Sequence, residues 1–330
     1  MRNNCLRIVY KILFFVYNDI VHSKLRMDGW CWDAPVFLVE KIKMKILEGY
    51  MPFKGYQTYY RVVGDGDKTP IVCLHGGPGS THNYFEVLDE LADSGHPIIM
   101  YDQLGCGNSF VQGHDELWNQ ETWLEELVCL LEYLHIDACH LLGQSWGGML
   151  AIAYAIEKKC SKLSSLILSS TLSSASLWAS EQHRMIRLMD KKEQEAVLSS
   201  DYESEEYIKA NAHYMELHCS GPFDENTPEC VKREKVSGAR SYLIGWGPNE
   251  YTPLGTLKNF EYTSRLNEIK VPSLVISGTD DLCTPLVAKT MYDHISNSKW
   301  ELMQGCRHMC FVDNHDKYCE IILDWICHLS

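Results

Sequence analysis

The sequence predicts an α/β protein built on a mostly parallel sheet, and three observations support this class. Short apolar runs at 70–74, 97–101 and 138–142 have the length and composition of buried strands. Helical patterns, of which 118–134 is the clearest, alternate with these runs, and that alternation is typical of parallel sheets flanked by helices. The third observation is a sharp strand-to-helix turn around Ser145.

Composition limits the classes of partner. The chain has 330 residues, 45% of them hydrophobic, and a formal net charge of -14. Such a charge argues against nucleic acid or an anionic membrane as a partner, since both would repel it, and no stable membrane insertion is expected. The 14 cysteines are scattered without a C-x-x-C pair. We interpret them as reduced thiols and expect a cytoplasmic protein.

Three kinds of segment are expected along the chain. Residues 1–43 form an N-terminal extension outside the core, since their apolar run of about ten residues is too short to span a membrane. Residues 44–170 and 254–330 form the α/β core. Residues 171–253 are charged, rich in Met, Tyr and Trp, and mostly helical in pattern, which predicts a helical cap inserted over the sheet. A cap in that place lies where such folds bind ligands, so it is expected to set substrate choice.

The first part of the core is expected to carry a hairpin and a functional loop. Residues 55–63 alternate and are rich in aromatic and β-branched side chains before a break at Gly64, which suggests an opening antiparallel hairpin. The strand 70–74 then leads into the loop His75–Gly79. Glycine lets a substrate oxygen approach such a loop closely, so that a backbone N–H can bind an oxyanion. An ordinary Gly-Pro turn is the alternative.

The turn Gly143–Gly147 carries the strongest chemical signal. It joins the strand 138–142 to a helix at 149–156, and so short a turn imposes strained backbone angles on its apex, Ser145. Flanking glycines are needed where any side chain would clash. The Ser145 hydroxyl would stand at a helix N-terminus, where N–H groups face developing negative charge. This is the nucleophile elbow of an α/β-hydrolase fold, which we therefore expect.

A serine nucleophile needs a base and an orienting acid on later loops, in the chain order Ser, acid, His. Asp102 precedes Ser145 and is therefore given a loop-shaping role. Of the histidines beyond the candidate acids, only His308 directly follows a predicted strand end, at 300–303, while the others lie in or at helices. For the acid, Asp280 and Asp281 are adjacent, and the residues alone leave both open.

Taken together, the motifs resemble those of the proline iminopeptidases, a family of α/β-hydrolase serine aminopeptidases. The resemblance extends from about Met44 to the C-terminus and includes the cap. It rests on six motifs: His75-Gly-Gly-Pro-Gly79, Asp102-Gln-Leu-Gly-Cys-Gly-Asn-Ser109, Gly143-Gln-Ser-Trp-Gly-Gly148, Gly247-Pro-Asn-Glu250, Gly278-Thr-Asp-Asp-Leu-Cys-Thr-Pro285 and Cys306-Arg-His308.

The resemblance implies further assignments. The family's acid motif selects Asp281 as the triad acid, and the oxyanion donors would be the backbone N–H groups of Gly77 and Trp146. Glu250 matches a cap glutamate that binds the free amino terminus of the substrate. Some members carry a second glutamate directly after the triad acid, where this chain has Leu282. That departure implies weaker binding of an ammonium and a more apolar or smaller substrate.

The expected function is that of a serine aminopeptidase that releases an N-terminal residue, preferentially proline, from small peptides through an acyl-enzyme. No metal or cofactor is expected, since no cluster has ligand spacing and no phosphate-binding glycine loop is present. One alternative is an amidase or esterase acting on small aminoacyl or acyl substrates. Another is a non-catalytic ligand-binding member of the fold, which would predict a broken triad.

Overall fold

A computed structural model describes residues 44–158 and 162–329. Eight strands form one sheet in the order β1-β2-β4-β3-β5-β6-β7-β8. The first two strands form an antiparallel hairpin, β2 is antiparallel to β4, and the remaining neighbours are parallel. The strands are β1 Ile46–Phe53, β2 Tyr56–Val63, β3 Ile71–Leu74, β4 Ile98–Tyr101, β5 Cys139–Gln144, β6 Leu163–Ser169, β7 Ser273–Gly278 and β8 Ser298–Met303.

Helices cover the sheet and connect its strands. Four 3₁₀ segments lie at His82–Ser94, Gly107–Ser109, Asp115–Leu117 and Thr263–Glu268. The α-helices are α1 Gln120–Tyr133, α2 Trp146–Glu157, α3 Ala175–Ile186, α4 Lys191–Val197, α5 Glu205–His218, α6 Glu229–Lys232, α7 Ala239–Gly245, α8 Pro285–His294, α9 Cys310–Asp313 and α10 His315–His328. The predicted α/β class with a mostly parallel sheet is confirmed.

The central strands are buried on both faces, which explains why they appear in the sequence as continuous apolar runs. Successive residues of a strand point to opposite faces of the sheet. Val72 and Leu74 accordingly belong to one hydrophobic core, while Ile71 and Cys73 belong to the other. The sheet therefore has a packed layer on each side, and its functional groups must lie at the ends of the strands.

The opening hairpin differs in detail from the expectation. Its turn is at Lys54 and Gly55, both with positive φ, of 48° and 84°, rather than at the Gly64 break. A pair of positive-φ residues suits the tight turn of a hairpin. The sequence did not predict β1 because this edge strand is half exposed, with Leu47 and Tyr50 open to solvent. Its pattern therefore lacks the apolar run of a buried strand.

Five helices, α3 to α7, lie between β6 and β7 in the chain, which is the region where the cap was expected. The predicted boundaries of the cap at 171 and 253 stay a prediction, and the predicted extension at 1–43 lies outside the described residues. None of the helices among residues 44–158 and 162–329 has the length and apolarity needed to cross a bilayer.

Candidate active site

The elbow between β5 and α2 has the strained geometry that the sequence predicted. Ser145 adopts φ 55° and ψ -124°, a conformation that L residues rarely take. A Cβ at Gly143 would lie 2.3 Å from the carbonyl oxygen of Gly147, and one at Gly147 would lie 1.9 Å from that of Leu74. Both positions therefore exclude any side chain. Trp146 begins α2, so the backbone N–H groups of the first helical turn lie beside Ser145.

The glycine-rich loop after β3 passes directly over the elbow. A Cβ at Gly76 would lie 3.0 Å from the Ser145 Cβ and 2.6 Å from the side-chain oxygen of Gln144. Gly77 has a φ of 110°, which glycine adopts without strain. The Gly76 N–H donates to the hydroxyl of Tyr84 at 2.6 Å, and this hydroxyl in turn donates to Gln144 at 2.9 Å. The loop is thus held close above Ser145.

Gln103, which the sequence analysis did not single out, joins the loop to the elbow. Its side-chain NH₂ donates to the carbonyl oxygen of His75 at 2.9 Å, and its backbone N–H donates to His75 Nε2 at 3.0 Å. Its side-chain oxygen accepts from the indole N–H of Trp146 at 2.7 Å. One buried amide therefore holds both segments that carry the predicted oxyanion donors, Gly77 and Trp146.

Loops after β7 and β8 bring the predicted acid and base together. His308 Nδ1 lies 2.8 Å from Asp281 Oδ1. The same carboxylate accepts backbone N–H groups from Cys283 at 2.8 Å and from Gly278 at 3.1 Å, which fixes its orientation. Asp281 is buried, whereas the neighbouring Asp280 is exposed. Of the two candidate acids, the one that contacts His308 is Asp281.

Glu250 occupies the position where an amine-binding carboxylate was expected. Tyr242 donates its hydroxyl to Glu250 Oε1 at 2.7 Å. The backbone oxygen of Glu250 accepts from the indole of Trp178, whose ring lies 5.9 Å from that of His308. Burial raises the pKa of Glu250, while the Tyr242 hydrogen bond and the nearby His308 oppose that rise. Sequence reasoning missed Tyr242, because nothing in its local pattern marks it.

Most of the predicted residues face one cavity of about 680 Å³. Ser145, His308, Gly77 and Glu250 all line it. Apolar side chains supply much of the remaining wall: Met215, Phe223, Val231, Leu243, Met309 and Phe311. This combination of a mostly apolar wall and a few polar groups is typical of small-molecule sites.

Leu282 is absent from the residues that line this cavity. Its side chain is fully buried in the hydrophobic core, and its carbonyl oxygen accepts from Gln182 at 2.7 Å. Leu282 therefore has no contact with this cavity through which it could make the substrate site more apolar, as had been expected. The apolar character of the cavity comes from other side chains.

Asp102 supports its own loop, as its position before Ser145 suggested. Its carboxylate accepts the backbone N–H groups of His82 and Asn108, each at 2.8 Å. Together with His75 and Cys106 it forms a cluster whose donor atoms lie within 4.8 Å of one another. His75 Nε2 already accepts the Gln103 N–H, and burial lowers the pKa of His75 to about 4. These donor atoms therefore already form hydrogen bonds with other groups of the protein and are not free to bind a metal ion.

The fold and this cavity define a hydrolase of the α/β-hydrolase class. The family model described as "alpha/beta hydrolase fold" matches residues 69–315. The chain belongs, more narrowly, to the proline iminopeptidase family. It is 57% identical over 289 residues to the proline iminopeptidase of Clostridioides difficile, covering 86% of this chain and 99% of that one. It is 55% identical over 290 residues to the proline iminopeptidase of Lactobacillus helveticus, and the match covers 86% of this chain and 98% of that one. The resemblance stated from the motifs is confirmed.

Two solved structures share this fold across nearly their whole length. The proline iminopeptidase of Mycobacterium smegmatis superposes with a TM-score of 0.77 at 26% identity, covering 86% of this chain and 98% of that chain. VinJ superposes with a TM-score of 0.79 at 29% identity, covering 86% and 99%.

Proposed function

We propose that this protein is a serine aminopeptidase that removes an N-terminal residue, preferentially proline, from small peptides. The observation that carries the proposal is that Ser145, His308 and Glu250 line the same cavity. A nucleophile and base beside a single carboxylate suit a substrate whose scissile bond lies next to a free amine. The names of the relatives at more than 50% identity agree with this substrate.

In the proposed mechanism Ser145 attacks the scissile carbonyl and His308 accepts its proton. With Nδ1–H donated to Asp281 at 2.8 Å, the other ring nitrogen of His308 is left as the base. The imidazolium that forms is stabilised by its hydrogen bond to the Asp281 side chain. His308 then protonates the leaving amine, and the acyl-enzyme is hydrolysed by water activated in the same way.

The backbone N–H groups of Gly77 and Trp146 are proposed to bind the oxyanion of each tetrahedral intermediate. Gly77 directly follows Gly76, whose backbone passes close to Ser145, and Gly77 lines the same cavity as Ser145. Trp146 directly follows Ser145 at the start of α2. Such preorganised donors act most strongly where negative charge develops, and removing one typically slows a reaction about 10²- to 10³-fold.

Glu250 is proposed to bind the protonated amino terminus. A partly buried ammonium needs an anionic partner to offset its desolvation. Because burial raises the pKa of Glu250, this carboxylate loses its charge at a higher pH than an exposed glutamate would. The segment between β6 and β7 supplies Glu250 and other residues that line the cavity, so we further propose that residues 171–253 act as the specificity-setting cap.

A cytoplasmic location is part of the proposal. Cys73, Cys106 and Cys283 are buried thiols that form no disulfide. Thiols that remain reduced are typical of proteins in reducing compartments.

The nucleophile is tested by labelling and turnover. A fluorophosphonate probe should label the wild-type protein, and the wild type should release proline from prolyl anilides. Ser145→Ala should lose labelling and at least about 10³-fold in kcat, because the acyl-enzyme cannot form. An unlabelled wild type would favour a non-catalytic binding protein, and an active Ser145→Ala variant would exclude the proposed mechanism.

The amine site is tested with a prolyl anilide and its N-acetylated form. The wild type should reject the blocked amine, and Glu250→Gln should lose that preference by about tenfold or more, mainly through KM. Glu48→Gln is the matched control, because Glu48 also accepts from a tyrosine hydroxyl, that of Tyr59, without lining the cavity. Wild-type hydrolysis of both forms at equal rates would instead indicate an amidase or esterase of broader specificity.

A further inference from the structure

The cavity has one acidic and one basic wall residue besides His308. Among the described residues that line it, Glu250 is the only carboxylate and Lys235 the only lysine or arginine. A peptide with free ends also carries one positive and one negative charge. The Lys235 ammonium is available to a ligand only if it is not already paired with an acidic residue of the protein.

The neighbouring basic residues already bond to other groups of the protein, in contrast to Lys235. Lys232 donates to the carbonyl oxygen of Asp224 at 2.9 Å, and Arg233 pairs with Glu229 and Glu86. Within the part of the chain that the structure describes, Lys235 has no ion pair. Asp102 exerts an attractive field on it, but that carboxylate already accepts hydrogen bonds from His82 and Asn108.

The segment around Lys235 is pinned beside the predicted oxyanion loop. On its C-terminal side, the Val236 carbonyl accepts from Gly107 at 2.8 Å, and the Gly238 N–H donates to the Gly79 carbonyl at 2.8 Å. The ammonium lies 5.8 Å above the centre of the Tyr84 ring, a cation–π distance. Tyr84 is the residue whose hydroxyl supports Gly76, so this cation lies on the oxyanion-loop wall of the cavity.

We propose that Lys235 binds the C-terminal carboxylate of the substrate, so that the enzyme prefers dipeptides and tripeptides with a free carboxyl end. This inference rests on the proposed function. A cavity of about 680 Å³ would be about 11 Å across as a sphere, roughly the length of three extended residues. A peptide of two or three residues can therefore place its amine at Glu250 and its carboxylate near Lys235.

The negative charge of the rest of the molecule strengthens the preference of a peptide carboxylate for Lys235. The chain carries a net charge of -14, so its surface as a whole repels a peptide carboxylate. An unpaired ammonium at the cavity then favours the orientation in which the carboxylate points towards it. Because Lys235 is exposed, the contribution is that of a solvent-screened pair, worth about three- to fivefold in kcat/KM.

The test compares Pro-Gly-Gly with its C-terminal amide. The wild type should prefer the free acid about three- to fivefold in kcat/KM, mainly through KM, and the preference should shrink at high salt. Lys235→Met should abolish the acid-to-amide preference, and Lys235→Glu should reverse it. Lys232→Met is the control, since that lysine lies three residues away without lining the cavity, and it should keep the wild-type preference.

Equal wild-type rates on acid and amide, or a preference that survives in Lys235→Met, would overturn this inference. A prolyl anilide separates that result from failure of the proposed function, because its leaving group carries no carboxylate. Release of proline from the anilide without any acid preference would overturn only the role of Lys235. No release from either peptide or from the anilide would overturn the proposed function and this inference with it.

Discussion

At the scale of single residues, the site depends on side chains that hold others in position. Gln103 contacts His75 through two hydrogen bonds and Trp146 through a third. These partners lie 28 and 43 residues away along the chain, one at the start of the loop that carries Gly77 and the other at the start of α2. Gln103 is not among the described residues that line the cavity, so its role is that of a positioning residue.

Gln103→Met should therefore lower kcat about 10- to 100-fold with little change in KM. Methionine fills a similar volume but cannot form the hydrogen bonds that fix the His75 loop relative to the Trp146 indole. A displaced oxyanion donor weakens transition-state binding more than substrate binding. Steady-state kinetics on a prolyl anilide would measure this.

Gln120→Met is the matched control, because Gln120 donates to the hydroxyl of Tyr262 away from the cavity. It should leave kcat unchanged. If Gln103→Met lowered only the melting temperature and kept kcat, Gln103 would be merely structural.

At the scale of elements, buried polar groups connect helices to strands. Glu126 on α1 accepts from the hydroxyl of Thr58 on β2 and from the Leu104 N–H, at 3.0 Å to each of its oxygens. Burial raises the pKa of Glu126 to about 8, although both hydrogen bonds act in the opposite direction. The carboxyl is therefore mostly protonated at neutral pH and joins α1, β2 and the loop after β4 without a buried charge.

This pKa predicts how stability changes with pH. The folded state holds the Glu126 proton more tightly than the unfolded chain, whose pKa is near 4.5. The contribution of Glu126 to the free energy of unfolding is complete below that pH and is lost as pH rises towards about 8. Glu126→Gln should flatten the fall in stability between pH 5 and 8 by a few kcal/mol.

Urea denaturation at four pH values would measure the slope. Glu125→Gln provides the control, because Glu125 is the neighbouring helix residue and pairs with Lys54 near the surface. It should keep the wild-type slope. An identical slope in Glu126→Gln and wild type would show that this carboxyl titrates normally in the folded protein.

At the scale of the whole molecule, the sheet and the segment between β6 and β7 differ in burial. The central strands β3 to β7 are almost wholly buried between two apolar cores. The helices α4 and α5 are more open, and large apolar side chains such as Leu188, Ile208 and Phe223 are exposed in that region. Fewer buried contacts imply a smaller free energy of local opening.

Native-state hydrogen exchange should therefore show slow amide exchange in the sheet and faster amide exchange in the segment between β6 and β7. Amides of β3, β5 and β6 should exchange last, near the free energy of global unfolding, and those of α4 and α5 should exchange earlier. A fluorophosphonate adduct on Ser145 should slow exchange around Met215 and Tyr242, which line the cavity. Uniform protection across both regions would show that they open as a single unit.

Much of the architecture could be predicted because its signals are local. Buried parallel strands need continuous apolar runs, and the elbow needs glycines around Ser145 because a Cβ at Gly147 would meet the Leu74 carbonyl at 1.9 Å. The half-exposed edge strand β1 has no such run, so the sequence did not reveal it.

The sequence by itself determined the α/β class, the elbow, the chain order of candidate nucleophile, acid and base, and the family. The residues alone left Asp280 and Asp281 open as the acid, the resemblance selected Asp281, and the tertiary structure shows that Asp281 contacts His308. Only the tertiary structure decided that Leu282 packs into the core and that Gln103 joins two loops. It also brought Tyr242 to Glu250 and placed Lys235 at the same cavity without an ion pair to any residue that the structure describes. The physical reason is that these relations depend on how separate loops pack at the ends of the strands. Local periodicity carries no information about that packing.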